Sequence, residues 1–339
     1  MNPGSTPGLT QDHAEFAGYV AILGRGPGRS RALTRDEARR AFAMVLQGRA
    51  DPHQVGAFLM LLRYRGEDAE EITGLVEAAR AEQGGSDLAA DLDWPSYGAG
   101  RTRGAPWFLL AALALARSGV RVLMHGSNAY SGGVSVAAGL GLLGMMPADG
   151  IAAARRQLAA GRFAYLPIEA LSPAMAKLLD MRGLFGLRSP VNTVVRLLDP
   201  ANAPAGVDGV FHPAYIDVHL GVAARMKRPA LLVLKGGGGE AERNPAKSVA
   251  AHLWRQGANH AELKLPAFDL LPSPADQEDA GTEMFAAVWR GEAAPQRPVA
   301  TVVATIALAL LALDHADTPD HADTLAAELW RANRGGNSV

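Results

Sequence analysis

Three short stretches gather the residue types that hold phosphate. Gly98–Ala105 reads G-A-G-R-T-R-G-A, so Gly98 and Gly100 leave backbone N–H groups open while Arg101 and Arg103 supply guanidiniums. Met124–Gly133 reads M-H-G-S-N-A-Y-S-G-G, where His125 and Asn128 add an imidazole and an amide to a Gly/Ser loop. Lys235–Arg243, K-G-G-G-G-E-A-E-R, opens a third glycine run with an ammonium and ends it with two carboxylates, Glu240 and Glu242. Backbone N–H groups at a helix start bind anions, and a guanidinium adds a two-pronged grip. None of the three runs has Walker or Rossmann spacing, so no particular nucleotide is indicated. The competing reading is ordinary strand-to-helix turns carrying solvated arginines, a strand-ending lysine and, for His125, a satisfied core histidine.

Such loops need strands to deliver them and helices to receive them. Asp93–Tyr97, Val120–Met124 and Ala230–Leu234 read as strands, and Trp107–Ser118 and Val134–Leu143 as helices. Alternation of this kind predicts an α/β domain with a central sheet. Ile151–Gly161, Pro173–Leu179, Val191–Leu198, Asp217–Ala224, Ala280–Arg290, Val299–Leu313 and Ala322–Arg334 add helices, Leu270–Gln277 reads as loop, and Ala250–Lys264 stays open between helix and strand. Upstream the texture is purely helical. His13–Leu23 comes first, then Thr34 with Glu37 forms a capping box ahead of Ala38–Leu46. Asp51 caps a helix with Val55, Phe58, Leu59 and Leu62 on one stripe, and Ala69–Arg80 completes a small bundle. The expected division is a helical domain over 1–83, completed by helices within 150–190, and a larger α/β domain over 84–339.

Composition narrows the classes. The chain has 339 residues, which exceeds one typical core. It has no cysteine, which excludes disulfides, thiolate metal sites and cysteine nucleophiles. Nine histidines are scattered without metal-ligand spacing, so no zinc site is expected. A formal net charge of −1 gives no whole-molecule attraction to nucleic acid, so any basic surface must be local. Val299–Leu313 is too short to span a bilayer, and the polar start Met1–Asp12 carries no targeting pattern. No membrane association and a cytoplasmic location are expected.

The order of motifs resembles anthranilate phosphoribosyltransferase and its relatives, glycosyltransferase family 3. L-T-R-D-E-A-R-R-A-F from Leu33 and D-P-H-Q-V-G-A-F-L-M-L-L-R-Y-R-G-E from Asp51 resemble that family's helical bundle. Met124–Asn128 resembles its K-H-G-N-R loop, and Arg182–Pro200 its R-x-x-L-G-x-R-T-x-F-N-x-x-G-P-L-x-N-P stretch. The resemblance implies a small helical domain, a nucleoside phosphorylase-like α/β domain, a cleft between them and a homodimer. It also implies that Arg182 matches the arginine that meets the aromatic acid and that Arg188 and Asn192 match the R-T-x-F-N motif. The equal alternative is a scaffold role, with Asn192 capping backbone and Arg188 paired with an acid such as Asp180.

The departures bear on function. The family's G-T-G-G-D is matched by Gly98-Ala99-Gly100-Arg101-Thr102, and its N-x-S-T by the apolar Trp107-Phe108-Leu109-Leu110. Its adjacent Asp-Glu magnesium pair falls near Gly238–Glu242, where Glu240 and Glu242 are one residue apart. A DNA-binding branch, the YbiB type, is similar at Trp94–Tyr97 (W-P-S-Y), His212–Tyr215 (H-P-A-Y) and Gly239–Pro245 (G-E-x-x-x-N-P). The expectation is therefore a non-catalytic homodimer. It would bind nucleic acid, DNA foremost, through Arg101, Arg103, Gly98, Gly100, His125, Asn128 and Lys235, with no cofactor. The alternative is a divergent phosphoribosyl transferase that uses magnesium at Glu240 and Glu242.

Overall fold

The computed structural model describes residues 10–26, 28–84, 88–98, 104–129, 133–258, 260–269 and 282–335. It divides into two compact units, one of Met1–Gly85 with Ser172–Leu198 and the other of Ser86–Leu171 with Asp199–Val339.

The first unit is built of helices whose starts are written locally. Thr34 accepts from the Glu37 N–H while the Glu37 carboxylate accepts from the Thr34 N–H, and Asp51 with Gln54 repeats this around Pro52. Asp68 caps the helix Ala69–Glu82. That helix and Arg35–Leu46 approach closely at Gly74, where a Cβ would lie 2.2 Å from the Arg35 carbonyl oxygen. Phe16, Phe42, Phe58 and Leu75 are fully buried between the helices. Pro173–Phe185, six residues longer than the sequence suggests, and the turn Val191–Val194 complete the unit.

The second unit holds one seven-stranded sheet: β1 Leu92–Ser96, β2 Val122–Gly126, β3 Phe163–Pro167, β4 Ala205–Val210, β5 Ala230–Lys235, β6 Val249–Arg255 and β7 Ala261–Leu265. Their order is β3-β2-β1-β4-β5-β6-β7. The first five are parallel, β6 pairs antiparallel with β5, and β7 pairs antiparallel with β6. Ala250–Lys264, open on sequence, is thus most of a β-hairpin. Neither β3 nor β4 is expected from the sequence. In β4, A-G-V-D-G-V, the pattern is broken by two glycines that the packing requires. A Cβ on Gly206 would meet Arg228 Nη2 at 2.4 Å, and one on Gly209 would meet the Glu240 carbonyl carbon at 2.1 Å. The helix Gln296–Ala312 is apolar all round because nearly all of it is buried. Among the described residues no helix is long and apolar enough to cross a membrane.

Strand order fixes where a ligand would sit. The chain lays β2 and β3 outward on one side of β1, then returns to add β4 and β5 on the other. Beyond that reversal lie the carboxyl ends of β1 and β4, the edge where open α/β sheets usually hold a ligand. All five residues of β1 pair with β2, but only Leu92 and Asp93 pair with β4.

Candidate functional site

Four strand ends converge on that edge: β1 leads to Gly98, β2 to Ser127 and Asn128, β4 to Phe211, and β5 to Lys235 and Gly236. At the first two, the backbones are close. The Ser127 N–H donates to the Ser96 carbonyl at 3.1 Å, and a Cβ on Gly126 would lie 2.0 Å from that oxygen. The Lys235 loop turns tightly because Gly238 and Gly239 take φ of 64° and 82°, which favours glycine. Those glycines therefore have a backbone reason to be there, whatever else they hold.

Gly98 is buried at the end of β1, and Lys235 is exposed at the end of β5. Gly100, Arg101 and Arg103 lie outside the described residues, as do Thr102 and Tyr130. His125 does not act as a surface phosphate contact, because its side chain is 0% exposed. Its Nδ1 lies 2.9 Å from the Tyr97 hydroxyl, and its Nε2 3.3 Å from Asp93 Oδ1. Asn128 Oδ1 is similarly engaged, accepting from the Tyr165 hydroxyl at 3.1 Å and from the Ala137 N–H at 3.2 Å. Burial, with the Glu169 and Glu240 charges adding to it, pushes the Tyr165 pKa up, so the ring keeps its proton as a donor.

The two acids of the third loop are engaged differently. Glu240 is buried, while Glu242 reaches back 134 residues to accept the Phe108 N–H on Oε2 at 2.9 Å. Phe108 belongs to the helix Trp107–Arg117, whose N-cap Pro106 offers no side-chain cap. The Glu242 carboxylate therefore supplies the missing cap, with a charge that suits a helix N-terminus. The first turn of that helix is otherwise apolar and buried, with Trp107 packed against Phe285 at 5.7 Å between ring centroids.

The remaining candidates fall in the helical unit. Arg182 and Arg188 are half-buried, and Asn192 Oδ1 accepts from the Ser189 N–H at 3.2 Å, fastening the local turn.

Sequence reasoning missed a buried ionic chain within the sheet unit. Arg228, with a side chain 6% exposed, donates from Nη2 to Asp93 Oδ2 at 2.7 Å and places Nε 3.5 Å from Asp199. Asp208 joins the same field and holds His219 Nδ1 at 2.8 Å. Burial works against the Asp93 charge, but His125 and Arg228 outweigh it and hold its pKa below the ordinary range. Burial likewise disfavours the Arg228 cation, and Asp199, Asp93 and Asp208 overcome it. A second buried cation, Arg243, binds both oxygens of Asp323 and the Pro266 carbonyl, which anchors the end of the third glycine loop. Pairing across more than 130 residues, as between Asp93 and Arg228, leaves no local signal.

Comparison with known proteins agrees with this architecture. Residues 19–82 match the family described as "Glycosyl transferase family, helical bundle domain", and residues 108–333 match "Glycosyl transferase family, a/b domain". Anthranilate phosphoribosyltransferase of Rhizobium etli is 35% identical over 189 residues, 54% of this chain and 55% of that protein. The Methylocella silvestris enzyme is 29% identical over 290 residues, 82% of this chain and 81% of the relative. Several relatives are thus matched over only about half their length. The Thermus thermophilus anthranilate phosphoribosyltransferase structure superposes with a TM-score of 0.76 at 22% identity, covering 94% of this chain and 95% of that one. A Saccharomyces cerevisiae enzyme in complex with PRPP and Mg gives 0.75 at 18%, covering 95% and 94%. At these identities the structures establish the fold.

Magnesium, implied by that kinship, is usually held by one or two carboxylates together with substrate phosphates. Among the described residues no group of three or more His, Asp or Glu side chains could hold a metal ion. Glu242 Oε2 accepts the Phe108 N–H, and Glu240 beside it is buried. With a helical bundle, a switch-point sheet and a family match over most of its length, the chain belongs to glycosyl transferase family 3.

Proposed function

We propose that the protein binds a phosphorylated pentose at the carboxyl edge of β1, β2, β4 and β5. There it would transfer a phosphoribosyl group from phosphoribosyl pyrophosphate to an aromatic amine such as anthranilate. The observation that carries this reading is the strand reversal between β1 and β4, which gathers the Gly98, Ser127 and Lys235 loops at one edge. The relatives' shared activity supports the choice of ligand. Lys235 offers an exposed ammonium to phosphate, while Asn128 and Tyr165 hold the second loop in place. Catalysis of this type rests mainly on positioning and on neutralising a departing diphosphate.

A second reading is favoured by one contact. The Glu242 carboxylate occupies the helix end that would otherwise face an anion, which suits a protein that has given up the diphosphate. Such a protein, of the YbiB type, would bind the phosphate backbone of DNA as a homodimer with no cofactor.

Isothermal titration separates the two readings. Saturable heat with phosphoribosyl pyrophosphate, together with product formation from anthranilate, supports transfer. No heat with that donor, combined with DNA binding that weakens steeply as salt rises, overturns transfer in favour of the second reading.

A further inference from the structure

Among the described residues β3 ends the sheet on one side and β7 on the other. The two edges are finished differently. β3 is buried from Phe163 to Leu166, whereas in β7, A-E-L-K-L, Ala261, Glu262 and Lys264 are exposed and Leu263 is half-buried. Only Leu265 belongs to the core, and Leu263 packs at its margin.

The direction of the backbone groups along β7 follows from its neighbours. The Gln256 N–H donates to the Pro229 carbonyl at 2.8 Å, so even-numbered residues of β6 turn toward β5 and odd-numbered ones toward β7. With Ala251 opposite Leu263 and Leu253 opposite Ala261, the odd-numbered residues of β7 bond inward. Ser248 Oγ, donating to the Leu265 carbonyl at 3.1 Å, agrees. Glu262 and Lys264 therefore present their N–H and C=O groups outward, where no described strand meets them.

We propose that the β7 edge is a self-association surface, on which a second copy of this chain lays its own β7 antiparallel about a two-fold axis at Leu263.

Register is the argument for a second copy. An antiparallel pair must set outward-facing residues opposite one another. Centred on Glu262, such a pair brings two glutamates face to face. Centred on Lys264, it brings two lysines together and sets Glu262 against Pro266, which has no N–H to give and whose carbonyl is turned in to Arg243. Centred on Leu263, Glu262 faces the partner's Lys264, and Lys264 the partner's Glu262. Charges on an edge usually keep strands apart, but the order Glu-x-Lys is complementary to itself under a two-fold. The same axis brings Leu263 against the partner's Leu263 as a closely spaced, non-hydrogen-bonded pair, which covers a leucine that the single chain leaves half-exposed.

The chain has no cysteine, so an introduced one reports on the axis directly. Leu263→Cys should form an intermolecular disulfide readily under mild oxidation, because such a pair holds its Cα atoms about 4.5 Å apart, inside disulfide range. Ala159→Cys, exposed on the helix Ile151–Gly161, is the control and should cross-link far more slowly. In sedimentation of the full chain, Glu262→Lys alone or Lys264→Glu alone sets like charges opposite and should weaken a concentration-dependent association step at least about tenfold. Both sites are exposed, so neither change disturbs the core. Mixing the two variants, or joining both changes in one chain, sets opposite charges face to face again and should restore the wild-type constant. Cross-linking of Leu263→Cys no faster than that of Ala159→Cys overturns the proposal. So do a wild type without any association step, single variants that keep the wild-type constant, or a mixture no tighter than either variant alone.

Discussion

Arg228→Met tests the buried ionic chain most directly. Methionine keeps a long apolar stem in the cavity and deletes only the guanidinium, which touches Asp93 at 2.7 Å and lies 3.5 Å from Asp199. Leaving buried carboxylates without their cation typically costs about 3–5 kcal/mol. For a unit of this size each kcal/mol lowers the midpoint by about 2–4 °C, so the expected fall is roughly 6–20 °C by calorimetry. The pH dependence carries a sign. Asp93 is held below the ordinary carboxylate value, so its pairing contributes stability above the unfolded value near pH 4. That contribution is lost as pH falls through the lowered folded value. The gap between wild type and Arg228→Met should therefore be widest near neutrality and should narrow in acid. Adding Asp93→Asn to Arg228→Met should recover part of the loss, because it removes the stranded charge. A midpoint within 2 °C of wild type, or an equal gap at pH 3 and pH 7, would refute the reasoning.

Three further outcomes follow from local geometry. Glu71 is buried, and desolvation raises its pKa while it accepts the Leu33 N–H at 2.7 Å. A raised carboxyl contributes stability below its unfolded value that is lost as pH rises, so Glu71→Gln should exceed wild type in urea midpoint at pH 7, the advantage shrinking toward pH 4. Glu242→Ala removes the cap from Phe108 and should cost about 0.5–2 kcal/mol in chemical denaturation, whereas Glu242→Gln, which keeps an acceptor, should cost less. Gly74→Ala places a Cβ 2.2 Å from the Arg35 carbonyl and should destabilise the helical unit by about 1–3 kcal/mol, read by circular dichroism.

The sequence discloses what is local and hides what is not. The capping box at Thr34 and the cap at Asp51 need only a few consecutive residues, and both form as read, with Gln54 completing a box at Asp51 as well. β5 is legible because Ala230–Leu234 is an unbroken apolar run. β4 is not, because its glycines answer to Arg228 and Glu240, partners whose positions only the fold supplies. His125 reads from sequence either as a loop ligand beside glycines or as a core histidine, and the strand, continuing through Gly126, carries the imidazole into the interior. Arg101 and Arg103, the residues on which a basic surface was expected, lie outside the described part of the chain.

The choice between transfer and passive binding turns on where one carboxylate rests. A helix start attracts negative charge whether a substrate or the chain itself provides it. Here Glu242 provides it, from a loop anchored at the next residue by the buried pair Arg243–Asp323. For a diphosphate to use the same N–H, that carboxylate must leave, or it repels the incoming charge. A donor complex is therefore expected to need more than the glycine loops, since it must first outcompete a tethered anion already in place.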